Sequence, residues 1–267
     1  MKKTPTKTTI ELRDECLRHC ATLAIPLEPA ALDEVLTQAE KESLSHLQFL
    51  DLLLGAQATA RRARSVARRS REARFAEQKT LEGFHGQFNP KAFDRVPIEA
   101  LATGDFIRRR TNLILVGWSG VGKSHVVQAL GQKAGVHGYR VLYRTSAELL
   151  ADLSASLADK TLPARLRRYA NPDLLIIDEF GFDRIERTEC PQAAHLLYKI
   201  IASRNQKRST ALVTNVDFDK WGEYLSDGPL AMAFLDRLVE GAIILKVKGK
   251  SYRAPKTKAP DDAPAEK

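Results

Sequence analysis

The stretch Asn112-Leu113-Ile114-Leu115-Val116-Gly117-Trp118-Ser119-Gly120-Val121-Gly122-Lys123-Ser124 decides the fold. It joins a short apolar run to a loop of the form G-x-x-x-x-G-K-[ST], and the helical run His125–Ala134 (HVVQALGQKA) follows directly. Each residue type has a chemical reason. Glycines let the backbone curl so that its N–H groups face phosphate oxygens. Lys123 adds a cation near the β and γ phosphates, and the Ser124 hydroxyl can ligate Mg²⁺. The helix behind the loop offers its positive end to the same anion. The bare pattern can arise by chance. The strand before it and the helix after it, read independently from periodicity, make Gly117 to Ser124 a candidate nucleotide site.

Moving outward, Leu174-Leu175-Ile176-Ile177-Asp178-Glu179 is a buried-strand pattern that ends in two carboxylates. An Asp at a strand's C-terminal end can hold Mg²⁺, usually through water, and the adjacent Glu can orient and deprotonate an attacking water. A carboxylate poised for water points to hydrolysis rather than to a small-molecule kinase. Further short apolar runs are Arg140–Arg144 (RVLYR), Thr210–Asn215 (TALVTN) and Ala242–Val247 (AIILKV). Near-continuous apolar strands separated by helices predict a parallel sheet covered on both faces. A strand lying between the loop strand and the acidic strand often carries a polar tip, which makes Asn215 a candidate for positioning water or the γ-phosphate. It can equally be an ordinary turn residue before Asp217. Only about twenty residues follow Val247, too few for a C-terminal helical lid.

Composition narrows the class. The chain has 267 residues, with 42 basic against 33 acidic and a net charge of +9. That excess suggests a polyanionic partner. No apolar run reaches the ~18 residues of a spanning helix, and Lys2 and Lys3 have no apolar stretch behind them, so neither a membrane span nor a secretory signal is expected. Three cysteines (Cys16, Cys20 and Cys190) cannot build a disulfide framework, and a cytoplasmic setting is expected. Cys16, His19 and Cys20 are too few for a zinc site.

Residues 1–85 read as a helical domain. Leu12, Cys16, Cys20 and Leu23 share one helical face, Pro26 and Pro29 break it, and Leu32, Val35, Leu36 and Ala39 begin another. Ser45 and Gln48 fit a capping box, and Leu47, Leu50 and Leu54 form a stripe behind it. The same segment then turns basic: Arg61, Arg64, Arg68 and Arg71 share a face, and between Arg61 and Arg74 the only acid is Glu72. Like charges so dense repel unless they meet an anion, and duplex phosphate is the natural one. Lys160, Arg165, Arg167 and Arg168 form a second cluster, and Lys246, Lys248, Lys250 and Arg253 a third. Residues 86–253 read as the nucleotide-binding α/β domain, and 254–267 (APKTKAPDDAPAEK) as a disordered tail.

From about residue 9 to 253 the chain resembles the IstB-type transposition helpers, AAA+ ATPases related to the DnaC helicase loaders and the DnaA initiators. The resemblance is carried by SHLQFLDLLL and RRARS, LEGFHGQFNP, ATGDFIRRRTNLILVG, LLIIDEFGF, VTNVDFDKWGEY, and LDRL with GKSYR. It implies an α/β AAA+ P-loop core with a five-stranded parallel sheet behind a small all-helical N-terminal domain. It implies ATP and Mg²⁺ as cofactors, duplex DNA and a DDE-type transposase as partners, ATP- and DNA-dependent homo-oligomers, and a bacterial cytoplasmic location. It gives Lys123 and Ser124 the phosphate-loop roles, Asp178 and Glu179 the acidic-pair roles, and Asn215 the sensor role. Arg237 becomes the arginine that acts on a neighbour's γ-phosphate, with Arg204 and Arg208 as rivals. The segment around 149–170 corresponds to the helix that this clade turns towards DNA. Trp118-Ser119 departs from the family's more usual Pro-Thr. A DnaC-like replicative helicase loader is the alternative function, because it shares the ATPase core.

Overall fold

The computed structural model describes residues 7–84, 93–183, 188–249 and 251. The chain divides into two compact units between Ala67 and Arg68, short of the boundary near 85 that composition gives. The reason is packing: Ala73 is buried, and Phe75, Leu81 and Phe84 lie against the core of the second unit.

In the first unit, α1 (Thr9–Thr22) begins with a capping box between Thr8 and Glu11. Helix α2 (Pro29–Lys41) carries Pro29 in its first turn, where the missing N–H costs nothing. Pro29 therefore opens a helix rather than breaking one. Arg13 ties the two helices together, its Nε 2.6 Å from Asp33 Oδ1 and its Nη2 2.7 Å from Oδ2. Helix α3 (His46–Ala73) starts at the expected Ser45/Gln48 box. Among the described residues of this unit Leu32 is the one fully buried apolar side chain, whereas Leu12, Leu23, Leu47, Leu50 and Leu54 are exposed.

The second unit holds the sheet. Short helices α4 (Arg95–Ala102) and α5 (Asp105–Arg108) lead into β1 (Leu113–Gly117). After β1 come α6 (Lys123–Val136), β2 (Val141–Thr145), α7 (Ser146–Ala158), α8 (Leu162–Ala170) and β3 (Leu174–Phe180). Then follow α9 (Ala193–Arg204), β4 (Ser209–Thr214), α10 (Trp221–Leu225), α11 (Gly228–Val239) and β5 (Ile243–Val247). The five strands are parallel in the order β2-β3-β4-β1-β5. Thus β4 lies between the loop strand and the acidic strand. One core cluster packs α7, α9 and α11 on one face, and the other packs α4, α5 and α6 on the opposite face. The predicted runs were the strands, shifted by one or two residues at their ends. Lys250, Arg253 and the 254–267 tail lie outside the described residues.

Arg204 is corrected by the structure. It is 1% exposed, so it is no candidate for reaching a neighbouring subunit. Its Nη1 donates to the carbonyls of Tyr169 (2.9 Å), Ala170 (3.0 Å) and Pro172 (2.9 Å). Its Nη2 donates to the Ser209 carbonyl, and its Nε to Thr210 Oγ1 at 3.0 Å. The guanidinium thereby supplies donors to carbonyls at the end of α8, which a helix leaves without intrahelical partners. Burial pulls its pKa below the usual guanidinium range. Arg208, the other rival, pairs with Asp173 at 3.0 Å.

Candidate nucleotide site

Strand β1 delivers the loop at its C-terminal end. A Cβ on Gly117 would fall 2.0 Å from the Val247 carbonyl oxygen, so only glycine lets β5 pass there. Gly120 (φ +79°) and Gly122 (φ +101°) hold left-handed backbone, and Gly122 caps α6. Lys123 Nζ donates to the carbonyls of Gly117 (2.6 Å) and Trp118 (2.7 Å), which fold the ammonium back over the loop. Burial lowers its pKa, and the Asp178 charge opposes that shift.

Asp178 is 1% exposed. Its Oδ1 accepts from Ser124 Oγ at 3.0 Å and from the Glu179 N–H at 2.8 Å, and its Oδ2 accepts from Tyr143 OH at 2.9 Å. Burial raises its pKa, and these hydrogen bonds, Tyr143 first, pull it back. The paired oxygens of Ser124 and Asp178 form a hard donor set, and they fit Mg²⁺ held by one or two protein oxygens plus phosphate.

Glu179 departs from strand geometry. The pairing of β3 with β4 slips between Ile177 and Phe180, and Glu179 sits there at φ +57°. Such a conformation costs a non-glycine residue about 1 kcal/mol or more and survives only where its neighbours impose it. Here Phe180 is the anchor. Its ring packs 4.9 Å from that of Trp221 and 5.9 Å from that of Phe234, and its carbonyl accepts from Thr214 Oγ1 at 2.9 Å. The kink leaves the Glu179 side chain exposed between buried Asp178 and buried Phe180.

A cleft of about 640 Å³ gathers Ser119, Gly120, Gly122, Lys123, Ser124, Asp178, Glu179 and Asn215. Asn215 follows β4 and is exposed. Val121 is buried beneath the loop, whereas Trp118 is 76% exposed. Arg237 does not join this group. Its carbonyl and that of Leu238 accept from the Asn112 side chain before β1, at the opposite end of that strand from the loop. Its guanidinium lies 4.9 Å from the centre of the Tyr198 ring, and its Nη1 donates to the Ala233 carbonyl at 3.1 Å.

Two contributors escaped sequence reasoning. Tyr143 lies inside the run RVLYR and is legible there only as a strand residue. The segment before the ATPase core also walls the cleft, through Ala76, Glu77, Lys79, Gly83 and Phe84. It is pinned to α6 by His125 Nε2 donating to the Thr80 carbonyl (2.8 Å) and Gln132 Nε2 to that of Glu77 (3.0 Å). Its sequence has no period that announces this. Tyr143→Phe removes a donor to the buried carboxylate and so raises the Asp178 pKa further. The acid limb of ATP turnover is expected to move to higher pH, with a loss of about 0.5–1.5 kcal/mol in stability. An unshifted pH–rate profile with unchanged unfolding would show that the hydroxyl is idle.

Of the predicted basic residues, Arg61 and Arg64 are exposed in the first unit, where they line a hollow with Leu17 and Ile25. Arg68 lies 3.9 Å from Glu72. Arg71, Lys160 and Arg167 are exposed, and Arg165 pairs with Asp152 at 3.2 Å.

Residues 20–259 match the IstB-like ATP binding protein family. The chain belongs to that family. The ATP-binding protein of insertion sequence IS5376 from Geobacillus stearothermophilus is 31% identical over 242 residues, which is 91% of this chain and 94% of that protein. Its counterpart from insertion sequence IS21 of Pseudomonas aeruginosa is 36% identical over 222 residues, covering 83% and 82% of the two chains. Among solved structures, that of DnaI superposes with a TM-score of 0.54 at 19% identity, over 64% of this IstB-like chain and 92% of that one. At that identity the likeness concerns the fold alone, a parallel α/β core behind the phosphate loop. No described helix of this family member is long and apolar enough to cross a membrane.

Proposed function

We propose that this IstB-like protein is the ATP-dependent DNA-binding helper of an insertion sequence. In this reading it oligomerises on duplex DNA, hydrolyses ATP, and recruits and activates a DDE-type transposase in the bacterial cytoplasm. The observation that carries the proposal is the Ser124–Asp178 pair beside an outward-turned Glu179, in a chain of insertion-sequence lineage. Lys123 trades its loop carbonyls for the β and γ phosphates. Ser124 and Asp178 would hold Mg²⁺, which when bound would supply charge neutralisation at those phosphates. Glu179 orients and deprotonates the attacking water, and Asn215 steadies the water or the γ-phosphate.

The Arg237 backbone lies at the end of β1 away from its own loop, a five-residue strand's length of roughly 16 Å. That distance supports a role at a neighbour's site, where a guanidinium stabilises transition-state charge. ATP then bridges two protomers, and its hydrolysis loosens them. The basic clusters Arg61, Arg64, Arg68 and Arg71, and Lys160, Arg165, Arg167 and Arg168, supply phosphate contacts that read no sequence.

Lys123→Ala tests the site. It removes charge-assisted bonds of about 1.5–3 kcal/mol, so ATP affinity is expected to fall roughly tenfold to a hundredfold, and ATP-dependent sedimentation on duplex DNA to disappear. Unaltered affinity would rule the loop out. A preference for single strands over duplex in the same assay favours the helicase-loader function instead.

A further inference from the structure

Two basic segments that lie far apart in sequence meet in one concavity of the second unit, away from the nucleotide cleft. A hollow of about 330 Å³ is lined by Arg69 and Arg74 from the end of α3 and just beyond it, Arg140 at the start of β2, and Arg168 on α8. Among its described lining residues Glu72 is the only acid. Arg140 also pairs with Asp173 at 3.1 Å, and Arg69 Nε donates to the Gly135 carbonyl at 2.9 Å. Arg74 and Arg168 make no ion pair among the described residues.

We infer that this hollow is a phosphate-binding groove for the backbone of duplex DNA. The inference rests on the DNA-binding function proposed above and gives it a place. Arg74 and Arg168 have no carboxylate partner among the described residues to offset the positive charge gathered there, which favours entry of an anion. Their planar forks suit phosphate oxygens in bidentate geometry. The wall is rigid, because buried Arg204 grips the Tyr169, Ala170 and Pro172 carbonyls directly behind Arg168. The row also continues beyond the hollow: Arg68 and Arg71 follow the same helix and are exposed. A run of guanidinium groups along an edge matches a polymer with repeating charge better than a single free anion. The groove lies at the start of edge strand β2, whereas the nucleotide cleft lies at the strands' other ends. Duplex and ATP therefore do not compete for space.

The test uses the full chain with ATP and a labelled duplex titrated across a range of salt. For Arg74→Ala/Arg168→Ala, loss of two phosphate contacts is expected to flatten the slope of log affinity against log salt by about 1.8, and to weaken binding by tenfold or more at physiological salt. Both side chains reach solvent, so the thermal midpoint is expected to stay within a degree or two. Arg74→Lys/Arg168→Lys keeps the charge and is expected to keep the slope. An unchanged slope and affinity in the alanine pair, with the parent still binding in a salt-dependent way, overturns the groove alone. A parent chain with no salt-dependent duplex binding overturns the underlying DNA function. Polyglutamate that competes as well as duplex at equal charge shows an acidic protein surface to be the ligand and overturns the nucleic-acid assignment.

Discussion

Glu179→Gln is expected to slow ATP hydrolysis by about two to four orders of magnitude while ATP still binds. The substitution keeps the volume and the hydrogen-bonding reach of the side chain and removes its ability to take a proton. The loop, Lys123 and the Ser124–Asp178 pair are untouched, so the ground-state grip on nucleotide persists. Under the proposed function, stalled hydrolysis removes the release step of an ATP-bridged assembly on DNA, which is then expected to accumulate. Single-turnover phosphate release and sedimentation on duplex read the two consequences separately. Normal hydrolysis by the variant would move the general base to another residue. Normal assembly lifetime alongside stalled hydrolysis would uncouple the chemistry from the oligomer.

Arg204→Leu is expected to destabilise the protein by about 3–5 kcal/mol. The side chain is fully buried and gives hydrogen bonds to four carbonyls and one hydroxyl. A leucine fills most of the volume but orphans those acceptors, each at a cost of about 1–3 kcal/mol before relaxation. For a unit of this size the melting midpoint is expected to drop by roughly 10 °C. Thermal scans with and without ATP check it. A midpoint within 2 °C of the parent, on the order of measurement scatter, would mean that water or a shifted backbone satisfies the carbonyls.

The sheet was readable because its signals are local. Each strand is a short apolar run, and the loop motif sits between one of them and a helix. That Lys123, Ser124, Asp178, Glu179 and Asn215 share a cleft follows from strands ending on one side of a parallel sheet. What the sequence hid depends on contacts between distant residues. Nothing in LLIIDEF announces that Glu179 leaves the pleat, because the kink is imposed by Phe180 and Thr214. Arg204 reads as one more surface charge until the end of α8 folds over it. The boundary near 85 rests on composition, whereas the split into compact units falls earlier, because Ala73, Phe75 and Phe84 find cover on the second unit's core.

The two tryptophans sit in opposite surroundings. Trp118 stands 76% exposed within the phosphate loop, and Trp221 is 0% exposed among Phe180, Phe218 and Phe234. The molecule thus carries an unlabelled optical gauge. One indole emits from a sealed, constant interior and serves as an internal reference. The other emits from water at the loop, so a shift of its colour registers whatever comes to cover that spot.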